Sequence, residues 1–144
     1  MRNDNTNKKF WQKISKIYEL FMKRNNLAYD SICDRLDKYV DKEKNVLELA
    51  CGTGQISFRM ADKSNSWIAT DYSENMVREA KRRKEKNFKN SNINFEQQDA
   101  TNLKYTDSKF DVVVIANALH IMPNPDMAVK EIKRVLKDDG ILYQ

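Results

Sequence analysis

At 144 residues, with 40% apolar and 33% charged side chains, the chain has the size and make-up of one globular domain. No apolar run approaches the ~20 residues needed to cross a bilayer, and Met1 to Lys9 lack the apolar centre of a secretory signal, so the cytoplasm is the expected compartment. The net charge of +5 includes seven Lys or Arg against three Glu between Glu74 and Lys89; lacking interleaved aromatics, that run reads as the solvated side of a helix, and nucleic acid is not an expected partner.

The chain opens on apolar positions at helical spacing, Phe10, Ile14, Ile17 and Phe21, widened by Trp11, Tyr18 and Met22. This predicts an amphipathic helix over about 8–24. Asn25 and Asn26 read as a break, and Tyr29, Ile32, Leu36, Tyr39 and Val40 predict a second helix over about 28–40. Beyond the polar turn 41–45 the pattern alternates between strand and helix. Strands are predicted at 46–50, 67–71, 93–96, 110–116 and from 141, the third near a sheet edge and the fourth central because of its continuous β-branched run. The intervening helices are predicted from Thr53 or Gly54 to Asp62, from a Ser73 cap to Asn87 with Met76, Val77 and Ala80 inward, and from Asn124-Pro125 onward. This last helix should turn Met127, Ile132, Val135 and Leu136 inward and stop at Asp138-Asp139-Gly140.

Such alternation implies a doubly wound, mostly parallel, Rossmann-like α/β sheet, whose ligands sit above the carboxyl ends of the strands. The first of these ends is the loop Ala50-Cys51-Gly52-Thr53-Gly54, which holds two of the three glycines. Glycine lets the backbone approach a ligand closely and adopt positive φ. Asp71 follows 17 residues after Gly54, where such folds place a carboxylate for ribose hydroxyls; its alternative role is a helix cap. Asp99 ends the third strand, positioned for an adenine amine, with Tyr72 and Met76 as apolar walls. With Glu48, three acids are expected to converge on one cleft. That suits a cationic ligand and disfavours a pyrophosphate, and Ser57 stands where a dinucleotide fingerprint asks for its third glycine. Cys33 and Cys51 form no metal-ligand spacing with His120, the single histidine, so no metal is expected. Cys51 is a packing residue or, less simply, a nucleophile.

The stretch Val46-Leu47-Glu48-Leu49-Ala50-Cys51-Gly52-Thr53-Gly54, Asp71, Gln98-Asp99-Ala100 and Phe110-Asp111-Val112-Val113-Val114 through Leu119-His120 resembles the successive motifs of class I S-adenosylmethionine-dependent methyltransferases. The closest branch includes the ubiquinone and menaquinone biosynthesis enzymes. The resemblance runs from about residue 10 to the end. It implies one methyltransferase-like domain over 1–144, with lid helices over 1–44 and a cofactor-binding core over 45–144. It also implies roles. Glu48 and the backbone of Ala50, Cys51, Gly52 and Gly54 hold the methionine end of the cofactor, and Asp71 holds the ribose. Tyr72 and Met76 enclose the adenine, Asp99 and the Ala100 N–H read its edge, Asn117 lies beside the methionine amine, and Tyr18 matches a lid-helix tyrosine.

The family sheet has seven strands in the order 3-2-1-4-5-7-6, whereas this chain stops in the fifth, and Ala50 replaces a frequent glycine. A truncated form, a self-sufficient five-stranded domain (order 3-2-1-4-5) and a homodimer through the exposed fifth strand all fit. The expected reaction is methyl transfer to a small-molecule acceptor, leaving S-adenosylhomocysteine, with His120 as base or as pocket wall. The alternatives are a non-catalytic cofactor-binding or interaction module and, more weakly, a nicotinamide oxidoreductase.

Overall fold

Five parallel strands form one sheet in the order β3-β2-β1-β4-β5: β1 Asn45–Leu49, β2 Ser66–Asp71, β3 Ile93–Gln97, β4 Phe110–Ile115 and β5 Leu136–Tyr143. This is the doubly wound order expected, with β3 at one edge and β4 inside. The computed structural model describes residues 4–144, without the side chains of residues 4–7, 11, 14, 15, 18, 19, 21 and 22. The expectations for the side chains of Trp11, Ile14, Tyr18, Phe21 and Met22 lie outside the described residues.

Parity along the strands sorts the core into two layers. Val46, Trp67, Ala69, Val112 and Val114 face one side, where Ile32, Cys33 and Leu36 of helix α1 (Asp4–Leu36) and Val77 and Ala80 of helix α3 (Glu74–Asn87) pack. Leu47, Leu49, Val113 and Ile115 face the other, against Ile132 and Val135 of helix α4 (Pro125–Val135), and Phe110, which parity alone would put with Val112, packs in this second layer at the register shift. Ser73 caps α3 as expected, its Oγ accepting from the Met76 N–H at 3.3 Å.

Three elements differ from the sequence reading. The two N-terminal helices are one, α1, continuous through Asn25 and Asn26. Asparagine costs only a few tenths of a kcal/mol inside a helix, and Asn26 Oδ1 accepts from Arg59 Nη2 at 3.0 Å, so propensity yields to tertiary contact. The helix after the glycine loop, α2, is short, Ser57–Met60. Positive φ at Ala50, Gly52 and Gly54 (55°, 57° and 95°) keeps the chain out of the right-handed helical region until the loop is passed.

The third difference is at the end of the chain. Helix α4 ends at Val135, and β5 starts at Leu136 with Gly140 inside it. The Ser108 and Lys109 N–H groups donate to the Arg134 and Val135 carbonyls at 2.9 and 2.8 Å, which satisfies the helix end early. The register then jumps from Phe110↔Leu136 to Val112↔Ile141, a bulge. A Cβ on Gly140 would lie 2.8 Å from both Leu136 Cδ2 and the Lys137 carbonyl, so the bulge needs the glycine. Met127 is exposed rather than inward, as is Met76, and Asn124 occupies the cap position of α4 without a side-chain cap bond.

Candidate functional site

The carboxyl ends of β1 and β4 and the inner face of α1 enclose a cavity of about 440 Å³, within the size range of small-molecule sites. Glu48, the loop 50–53 and Asn117 form its floor; Asn25, Asn26 and Tyr29 come from α1, and Met76 stands at its side. Glu48 follows from strand parity. It shares the face of Val46 and is 3% exposed in the apolar layer beneath α1.

Two donors meet one of its oxygens. Ser57 Oγ reaches Glu48 Oε1 at 2.5 Å and Trp67 Nε1 reaches the same atom at 3.0 Å. Burial pushes the carboxyl up to about 7, and Asp71 adds to the rise, while these two bonds oppose it. Neither donor was assigned to the site from sequence. Trp67 read only as a strand residue and Ser57 only as a missing glycine, yet Ser57 is fully buried and engaged. The charged form of this acid repels a diphosphate, which disfavours the dinucleotide reading of the loop.

Asp71 sits under the loop. Its Oδ2 accepts from the Gly52 N–H and its Oδ1 from the Ser73 N–H, both at 2.9 Å, so it braces the glycine turn and the approach to α3 together. Arg83, counted from sequence within a solvated charge run, reaches across to the loop instead. Its Nη1 donates to the Thr53 carbonyl at 2.7 Å and its guanidinium lies 5.0 Å from the Phe58 ring. The signal was available, since residues 76, 80, 83 and 87 share one face of α3. Cys51 is buried, its thiol raised by burial and its Sγ turned to the Gly52 carbonyl, so it is a packing residue.

Tyr72, Asp99 and Ala100 line a second hollow of about 330 Å³ with Thr101, Met122 and Asn124. Asp99 is exposed, and the Thr101 hydroxyl and N–H, at 2.7 and 2.9 Å, hold its carboxyl below the usual range. The three acids therefore do not share one cavity. Glu48 lies in the first hollow, Asp71 under the loop and Asp99 in the second. His120, in the exposed turn Leu119–Ile121, lines a third hollow of about 360 Å³ with Ile115, Leu119 and Pro125. Asn117, at a left-handed φ of 56°, lines both this hollow and the first.

A Cβ built on Gly52 meets no atom within 4 Å, so the space beside that residue is open; at Gly54 it would fall 2.7 Å from the Phe58 ring and 3.0 Å from Phe95. An acid in a pocket lined by bare backbone fits a ligand carrying an ammonium or sulfonium group.

The family described as Methyltransferase domain matches residues 40–144. The demethylmenaquinone methyltransferase of Leptospira interrogans (serovar copenhageni) is 34% identical over 139 residues, covering 91% of this chain and 56% of that protein. The demethylmenaquinone methyltransferase of Lactobacillus johnsonii is 37% identical over 97 residues, covering 65% and 40%. The chain thus spans about half the length of the curated relatives it matches. Among solved structures, the YcgJ protein of Bacillus subtilis superposes with a TM-score of 0.73 at 26% identity, covering 78% of this chain and 48% of that one. The cyclase SpnF superposes with 0.71 at 32%, covering 78% and 43%.

Two outcomes are expected. Glu48 is protonated in both folded and unfolded chains below about pH 4.5; between there and about 7 only the unfolded chain ionises, so stability falls with rising pH and is flat above 7. Glu48→Gln keeps an acceptor for Ser57 and Trp67 without that cost. Urea unfolding should find it more stable than the parent by ~3 kcal/mol at pH 8 and nearly equal at pH 4.5. Gly54→Ala, which adds a clash to a left-handed φ, should cost about 2–4 kcal/mol, and Gly52→Ala only about 1 kcal/mol, by thermal unfolding.

Proposed function

This chain belongs to the methyltransferase domain family, the class I S-adenosylmethionine-dependent enzymes of the quinone-biosynthesis type, and on that premise we propose that it binds S-adenosylmethionine from the glycine-loop cavity across to the hollow of Tyr72 and Asp99 and methylates a small-molecule acceptor. The observation that carries this reading is the buried Glu48 lining one cavity with the backbone of the glycine loop, a receptor for positive charge.

When bound, the cofactor supplies a methyl group on a sulfonium, an electrophile with a good leaving group. Glu48 and the backbone of Ala50 to Gly54 then take the methionine end, where the carboxylate opposes the ammonium charge. Asp71 keeps lone pairs beyond its two backbone bonds for ribose hydroxyls. Tyr72 and Met76 supply apolar surface for the adenine, and Asp99 and the Ala100 N–H its polar edge. Tyr18, on α1, remains proposed as a lid contact.

We place the acceptor in the hollow of His120 and Leu119, which meets the cofactor cavity at Asn117. His120 is there to take a proton from an O–H or N–H acceptor, or to line its pocket. Two relatives named demethylmenaquinone methyltransferase favour a quinone-like acceptor. Most of the rate then comes from alignment and exclusion of water by the covering helix.

A second reading, cofactor binding without methyl transfer, draws on SpnF, a neighbour of the same fold named for cyclisation. In that reading the outer edge of β5 pairs with another strand, for example in a homodimer. Light scattering on the purified chain separates the two states.

Titration calorimetry with S-adenosylhomocysteine tests the first proposal. Micromolar binding is expected, and Asp71→Asn, checked for folding by circular dichroism, should weaken it by about tenfold or more. No heat at millimolar ligand would remove the reading, and an unchanged Asp71→Asn affinity would remove the ribose role.

A further inference from the structure

Residues 8–24 hold six Lys or Arg and one acid, Glu19, a net of +5 that equals the net charge of the whole chain, so all other residues together sum to zero. They lie on α1, whose 33 residues span about 50 Å. Among its described residues, full burial begins only at Ile32. Tyr29 is half-buried against the core and Asn25 and Asn26 line the cavity, whereas residues 8–10, 12, 13, 16, 17, 20, 23 and 24 are exposed.

One exposed face of this segment has a distinct make-up. Residues 10, 13, 17, 20, 24 and 27 repeat at intervals of three and four and so share one side of the helix. They are Phe10, Lys13, Ile17, Leu20, Arg24 and Leu27, all exposed, the four apolar ones between 55% and 65%. Lys9, Lys16 and Lys23, at heptad intervals and also exposed, run alongside. The face thus carries four large apolar side chains, five cations and no acid. We propose that it is an interfacial docking surface for an anionic lipid membrane: the apolar side chains enter the boundary between headgroups and acyl chains, and the Lys and Arg stems snorkel to lipid phosphates.

The charge pattern selects this occupant. An antiparallel second copy would set Lys13 against Arg24 across the seam, a like-charge pairing with no acid nearby to relieve it. A nucleic-acid backbone would match the cations and leave Ile17, Leu20 and Leu27 against phosphate. No described helix is long and apolar enough to cross a membrane, so docking here is along the surface.

Co-sedimentation of the full chain with vesicles tests this. Vesicles of phosphatidylcholine mixed with phosphatidylglycerol should retain the protein at least about tenfold better than phosphatidylcholine alone, and raised salt should release it. The double variants Lys13→Glu with Lys16→Glu, and Ile17→Ser with Leu20→Ser, should each lose about tenfold or more of that binding while keeping the parent's circular dichroism and its affinity for S-adenosylhomocysteine. Equal retention on neutral vesicles, or retention untouched by either variant, would overturn the proposal. So would tighter binding to a mixed-sequence oligonucleotide that the serine variant keeps, or a dimer in solution that the serine variant abolishes.

Discussion

An acid held at 3% exposure in the middle of a sheet is the constraint around which this molecule is arranged. Glu48 occupies a strand position whose neighbours in sequence, Leu47 and Leu49, are wholly apolar and buried, and its own side faces the layer under α1. Left alone there, a carboxyl would cost several kcal/mol in its charged form. The chain moderates this with Ser57 at the start of α2 and Trp67 on the adjacent strand, yet the group still titrates near neutrality. A buried acid perturbed this far beside a cavity is a candidate functional group.

The loop beside it is held in a fixed shape from several sides. Ala50, Gly52 and Gly54 take positive φ, Asp71 ties the Gly52 N–H down from below, and Arg83 holds the Thr53 carbonyl from the side. Each tie comes from a different element, β2 or α3, so the loop's shape depends on the packing of the whole β3-β2-β1 side of the sheet. The third glycine of a dinucleotide loop would leave Glu48 without its Ser57 donor. The same exchange of glycine for serine that sets the loop apart in sequence supports the acid in space. Ala50 adds strain, because a Cβ at φ 55° is crowded, and strain of this kind is found where backbone must meet a ligand.

Much of this was legible in the sequence because it rests on local periodicity. Strand order, the central β4, the edge position of β3, the Ser73 cap and the placing of Glu48 on a strand next to a glycine loop all follow from alternation and punctuation. What escaped depends on contacts between elements. Asn25 and Asn26 read as a break because local propensity carries no trace of Arg59, and Arg83 read as solvated because its neighbours in sequence are. Gly140 read as a helix stop, although it serves a bulge whose need for glycine comes from Leu136 and Lys137. The convergence of three acids was inferred from strand ends alone. Strand ends are spread across a sheet about 5 Å apart, and side-chain direction divided Glu48 from Asp99.

If Glu48 is the receptor for the cofactor's cationic end, binding must draw the carboxyl into its charged form. Calorimetric titration of S-adenosylmethionine in buffers of different ionisation enthalpy reads this directly, as protons released per ligand bound. The account expects close to one proton released at pH 6, close to none at pH 8, and no such pH dependence in Glu48→Gln. Proton release that is absent at pH 6, or that persists unchanged in Glu48→Gln, would contradict it.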